Sequence, residues 1–305
     1  MHQAPDYLSK LLPPSSSNTP EDEFLRLTAH QNGIDDSKRP NGTNGNSIPL
    51  PNPSASLYLS WTFAQLSHAS HNLAISLHNV GILPRQTIIA LLPNSAAFHV
   101  FSYAALELNC TFAPLNPKVV SSGHGQEAKH LFGMLKPAVV VVENGVVARQ
   151  LQEVLGHEAF GSVTIALVAG SGEVSQEGKD KIENEDIPNG WQDLENFVVA
   201  NTHHETSSFN PSAIERKDSD VLLVFTTSGT TSLPKGCPWT AKTYRSILYC
   251  INELLDLSPT DTAIPPRSAC FHSPAHHVMG FVFGSPYHLP GLQVVHPSST
   301  FTPSS

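Results

Sequence analysis

The sequence predicts an α/β fold, mostly parallel sheets covered by helices, and three observations carry that expectation. Short apolar runs recur without polar alternation, among them Thr87 to Leu92, Ala138 to Val142, Val163 to Val168 and Val221 to Phe225. Strands buried on both faces read as continuous apolar runs, whereas strands wetted on one face alternate. Segments with apolar residues at helical spacing separate these runs, so strand and helix alternate along the chain. Finally, a run of hydroxyls, glycines and one lysine, Thr226 to Gly236, follows a strand directly.

Taken in order, residues 1–55 read as a polar extension rich in Pro, Ser and Asn, with one short helix. Thr19 caps that helix, Pro20 suits its first position, and Glu21, Asp22 and Glu23 favour its positive end. Phe24, Leu25 and Leu27 give it apolar surface, and Asn32 to Pro53 is loop punctuation. The main domain, residues 56–305, opens with a strand at Leu57-Tyr58-Leu59. Thr62 and Gln65 form a capping box, and Leu66, Ala69, Leu73, Leu77 and Val80 then recur at helical spacing up to Gly81.

The strand Thr87 to Leu92 leads into Pro93-Asn94-Ser95, which turns the chain and caps a helix with Phe98, Phe101, Ala105 and Leu108 on one face. Thr111 to Leu115 is a short strand closed by Asn116-Pro117. A helix near Gln126 to Leu135, the strand at 138–142, a helix near Val146 to Leu155 and the strand at 163–168 continue the alternation. Residues 171–219 are acidic and read as a solvated insertion. After the strand at 221–225 and its hydroxyl-rich loop, a helix from Thr240 to Leu257 buries Ile247, Leu248, Ile251, Leu254 and Leu255.

Composition narrows the function classes. The formal charge is −9 and no basic stripe is present, which argues against nucleic acid as a partner. No apolar run reaches the roughly 18 residues of a membrane span, and residues 1–12 have no secretory leader pattern. Cys110, Cys237, Cys250 and Cys270 form no C-x-x-C pair and read as free thiols of a reducing compartment, hence a cytoplasmic protein. Cys237 adjoins the loop, but no base stands beside it in sequence to make it a nucleophile.

The loop Thr226-Thr227-Ser228-Gly229-Thr230-Thr231-Ser232-Leu233-Pro234-Lys235-Gly236 has a phosphate-handling composition. Glycines let backbone amides approach an anion, hydroxyls donate, and Lys235 adds a positive charge. A Walker A loop is excluded, since Pro234 precedes the lysine and no Ser or Thr follows it to hold a metal. The order of residues instead resembles the T-S-G-T-T-G-x-P-K-G loop of adenylate-forming enzymes, which include acyl-CoA synthetases, luciferases and peptide-synthetase adenylation domains. Ser232 stands where that family usually has Gly. If the position requires positive φ, Ser costs about 1 kcal/mol there.

The resemblance extends from Ser56 to Pro303. It takes in Trp61 to Leu66, Gly81, Ile88 to Leu92, Pro93-Asn94-Ser95 and Pro114-Leu115-Asn116-Pro117. Arg85-Gln86 replaces the usual Gly-Asp pair, and Asn109 replaces a common Gly. Pro274-Ala275-His276-His277-Val278-Met279-Gly280 is similar to the family's P-x-x-H-x-x-G segment, which places His277 and Gly280 beside an acyl-substrate pocket, as a contact or as pocket wall. A metal cluster of His272, His276, His277 and His288 is the rival reading, although no carboxylate or cysteine joins it at ligand spacing.

By resemblance, Thr227, Ser228, Gly229, Thr230, Thr231, Lys235 and Gly236 cradle the phosphates of ATP. The family uses Mg2+ with ATP, activates a carboxylic acid to an acyl-adenylate, and passes the acyl group to CoA or a carrier pantetheine. No residue here is assigned as catalytic. The later Y-G-x-T-E and TGD motifs and the C-terminal domain are absent from these residues. The expectation is therefore an incomplete N-terminal domain of the adenylate-forming fold, inactive alone. It would be a non-catalytic relic or one half of a split ligase needing a complementing C-terminal chain.

Overall fold

The computed structural model describes residues 26–29, 59–121, 124–160, 163–170, 187–202, 209–227, 233–255, 267–270, 273–285 and 292–296. The elements in chain order are β1 (Arg26–Ala29), β2 (Leu59–Thr62), α1 (Phe63–Asn79), β3 (Thr87–Leu91), α2 (Ala96–Glu107) and β4 (Thr111–Pro114). Then come α3 (Gly125–Leu135), β5 (Val139–Val142), α4 (Gly145–Phe160), β6 (Ile165–Val168), β7 (Gln192–Asp193) and α5 (Leu194–Thr202). The last are β8 (Val221–Thr226), β9 (Gly236–Thr240), α6 (Ala241–Leu255), β10 (Arg267–Cys270), α7 (Val278–Gly284) and β11 (Leu292–His296).

The main sheet has seven strands in the order β7-β6-β5-β3-β4-β8-β9. Every neighbouring pair is parallel except β8 and β9, which form an antiparallel hairpin. Successive side chains along a strand face opposite sides, and here both sides are dry. Ile88, Ala90, Val139, Val141, Phe112 and Phe225 pack with residues of α1, α2 and α6. Ile89, Leu91, Val140, Val142 and Val224 pack with Leu131 and Phe132 of α3 and Leu151 and Leu155 of α4. This doubly covered parallel sheet is the fold class the apolar runs predict. A second, four-stranded sheet has the order β10-β11-β1-β2. Among the described residues no helix is long and apolar enough to cross a membrane.

Local signals place the elements closely. Ser95 caps α2, its hydroxyl accepting the Phe98 amide at 3.3 Å. Asn116 accepts the Lys118 amide at 3.0 Å and starts a short 3-10 turn at Pro117–Val120. The predicted helix α4 runs on to Phe160, broken at Gly156 where φ is 69°.

Two expectations need correction. Leu27, placed by its spacing on an N-terminal helix, lies in β1, which pairs with β2 antiparallel and with β11 parallel. Strand partners from far along the chain override the local helical pattern there, and the rest of the predicted helix falls outside the described residues. The acidic stretch is also more than a solvated insertion. Residues 171–186 fall outside the described residues, but Trp191 and Phe197 are buried and β7 pairs with β6. Helix α5 is tied to α1 by the Ser76–Thr202 hydroxyl contact at 3.0 Å and by Asn79 Nδ2 donating to Asn201 O at 2.8 Å.

Candidate functional site

Because β3, β4, β5 and β8 are parallel, the segments after them emerge at one edge of the sheet. Open α/β sheets bind ligands at that carboxyl edge. The hydroxyl-rich loop leaves it as the connection of the β8–β9 hairpin. Its base is closed by two residues. The Thr227 amide donates to Lys235 O at 3.0 Å, and the Lys235 amide donates to Thr227 Oγ1 at 3.1 Å. The Lys235 side chain is left exposed. Ser228, Gly229, Thr230 and Thr231 lie outside the described residues, as does Ser232.

Helix α3 supports the loop from the side. His130 Nε2 lies 3.1 Å from Pro234 O. A carbonyl only accepts, so Nε2 carries the proton. Gly236 runs close to both supports: a Cβ there would come within 3.1 Å of Met134 Cε and of Val224 Cγ1.

The second motif is brought to the same region. Asn94, at the carboxyl end of β3, grips the segment before α7 from both sides of its amide. Its Nδ2 donates to Ser273 O at 3.1 Å, and its Oδ1 accepts the Ala275 amide at 2.6 Å. Gly280 is buried, and a Cβ there would stand 2.0 Å from Pro274 O. No side chain fits, so the motif's glycine is a packing requirement. Phe281, the next residue, lies against Phe225 of β8 with ring centroids 5.5 Å apart, and also against Phe98 at 6.3 Å. Phe225 is followed immediately by the loop's first threonines, so one aromatic cluster carries both motifs.

His277 is exposed at the N-terminus of α7 and makes no side-chain cap. Its neighbour His276 is the more buried of the two. Burial, with the adjacent His277 imidazole, pulls His276 down to about 4, so it is neutral at neutral pH. His272 and His288 lie outside the described residues. Among the described residues no group of three or more His, Cys, Asp or Glu is placed to hold a metal ion. Cys237 is exposed on β9, whereas burial pushes the Cys110 thiol up to about 12.

Asn94 is visible in the sequence only as a turn residue, and its partners are not. His130 carries no local signal at all, because its acceptor lies 104 residues further on.

A family model described as AMP-binding enzyme matches residues 52–304. An acyl-CoA ligase of Pestalotiopsis microspora is 24% identical over 201 residues, covering 63% of this chain and 32% of that protein. A luciferin 4-monooxygenase of Photuris pensylvanica is 27% identical over 229 residues, covering 74% of this chain and 37% of that protein. Among solved structures, a Brucella canis acyl-CoA synthetase superposes with a TM-score of 0.58 at 20% identity, covering 80% of this chain and 39% of that one. The chain thus spans about a third of the length of the curated relatives it matches.

Proposed function

The chain belongs to the family of AMP-binding enzymes, and from that premise we propose that its β8–β9 loop holds the phosphates of ATP in a ligase that activates a small carboxylic acid. The observation that carries this reading is the Thr227–Lys235 closure. It fixes the backbone of Lys235 at the carboxyl edge of the sheet while its side chain stays exposed. Thr227, Lys235 and Gly236 supply the described part of the cradle, and Ser228, Gly229, Thr230 and Thr231 complete it in this reading. The ammonium group of Lys235 then pairs with the outer phosphates.

In the proposed reaction a carboxylate oxygen attacks the α-phosphorus, the bond to the bridging oxygen breaks, and pyrophosphate leaves. The acyl-adenylate next passes its acyl group to a thiol of CoA or of a carrier pantetheine, and AMP departs. Mg2+ bound with ATP neutralises phosphate charge in this scheme. Contacts to the base, ribose and metal come, in this reading, from polypeptide other than these 305 residues. His277 and Gly280 sit in the segment proposed to face the acyl substrate.

The test is ATP affinity of the chain and of its Lys235→Ala variant, measured by titration calorimetry. Loss of one charge-assisted contact of about 1.5–3 kcal/mol weakens binding by roughly ten- to a hundredfold. Equal affinity of the two proteins removes the loop from nucleotide binding.

A further inference from the structure

We propose that His130 is a positioning residue for Lys235, acting through the peptide unit that joins Pro234 to Lys235. That unit is planar, so fixing its oxygen and its N–H fixes its orientation. The oxygen is held by His130 Nε2 at 3.1 Å, from helix α3. The N–H is held by Thr227 Oγ1 at 3.1 Å, from the end of β8. In a trans unit these two groups point in opposite directions, so the plane is clamped between a helix and a strand. Pro234 has no N–H and is buried, which leaves its carbonyl as the only backbone handle on that residue. Met134, one helical turn after His130, closes on Gly236. Helix α3 therefore contacts the residues on both sides of Lys235, and because the Thr227 amide also holds Lys235 O at 3.0 Å, the peptide units before and after the lysine are both fixed and together set its Cα–Cβ direction.

The consequence for ligand rests on the reading of this loop as an ATP phosphate site, but the clamp is measurable without nucleotide. The experiment compares wild type, His130→Ala and His130→Gln by amide hydrogen exchange at Lys235, followed by NMR, and by ATP titration of the same proteins. His130 is half-buried, and thermal melting of each variant reports whether the fold is retained.

Removing one hydrogen bond is expected to speed Lys235 exchange about fivefold in the alanine variant. Glutamine, which keeps an N–H donor on a flexible stem, should restore at least half of the lost protection on a logarithmic scale. ATP affinity should fall and recover in parallel. Unchanged Lys235 exchange in His130→Ala, or no rescue by glutamine, overturns the proposal. If wild type binds no ATP, the nucleotide reading fails while the exchange data still decide the clamp.

Discussion

Asn109, held at φ 53°, turns its side-chain amide onto the buried carboxylate of Asp220, with Nδ2 2.9 Å from Oδ2. Arg85, also left-handed at φ 69°, reaches the same carboxylate through Nε at 2.8 Å, and the Lys217 amide donates to it at 2.9 Å. Asn109 and Arg85 both stand where the family resemblance expects glycine. Left-handed backbone is costly for a side chain unless something compensates. Here the compensation is shared: both departures close on one acid, at the amino edge of the sheet, where β3, β4 and β8 begin.

Asp220→Ala should therefore destabilise the chain by about 2–3 kcal/mol, because the buried Asn109 donor and the Lys217 amide lose their acceptor. Hydrogen bonds from Arg85 above all, and from Asn109 and Lys217, hold the Asp220 carboxyl well below the usual carboxylate range. A depressed pKa contributes stability that is present above the ordinary value of 3.8 and is lost as pH falls toward the folded value. Urea unfolding at pH 3 and pH 7 should show a smaller difference for Asp220→Ala than for wild type. Matching differences would deny this acid its role.

Asn94→Ala removes both hydrogen bonds that seat the segment before α7. The expected loss is about 1–2 kcal/mol, with faster amide exchange at Ala275. Asn94→Asp keeps the acceptor for Ala275 but not the donor to Ser273, so its exchange at Ala275 should stay near wild type. Exchange that rises equally in both variants would assign the effect to something other than this contact.

Gly280→Ala has no space for its methyl group, since the obstacle is the Pro274 carbonyl and its neighbours, which are backbone atoms. Overpacking of this kind costs about 1–3 kcal/mol. A crystal structure of the variant should show α7 or the 273–275 segment displaced. An unmoved backbone with unchanged melting would contradict the packing.

Two histidines should titrate on opposite sides of the ordinary imidazole value of 6.5. The Glu107 carboxylate, 2.9 Å from His71 Nδ1, raises His71 above its ordinary 6.5 by its hydrogen bond, against some opposing burial. Burial holds His276 near 4. The His71 contribution is full below pH 6.5 and fades as pH rises through its folded value. The His276 contribution is present above 6.5 and fades as pH falls toward 4. Imidazole NMR titration of His71→Gln and His276→Gln beside wild type assigns the two signals. Midpoints on the same side of 6.5 would be inconsistent with these environments.

The main sheet is legible in the sequence because both its faces are dry. Val139 to Val142 point alternately to opposite sides, yet all remain apolar. Helix starts such as Ser95 are equally legible, since a cap acts over three residues. Leu27 misleads because its partners, Trp61 and Val294, arrive from distant strands. The order of residues in the loop carries its resemblance to a phosphate-handling loop, but nothing in the sequence shows what supports it. His130, Asn94 and Asp220 act on groups more than 100 residues away, and nothing beside them in sequence marks those contacts.

The Thr111 hydroxyl donates to Val221 O across 110 residues, at the start of the parallel pairing of β4 with β8. A hairpin such as β8–β9 forms locally and fast, but a pairing this distant waits for the intervening chain to be gathered first. The strand that launches the loop is therefore expected to join the sheet late in folding. If the loop holds phosphate as proposed, anion binding there reports completion of the sheet, and a partly folded chain that keeps its helices should still lack it.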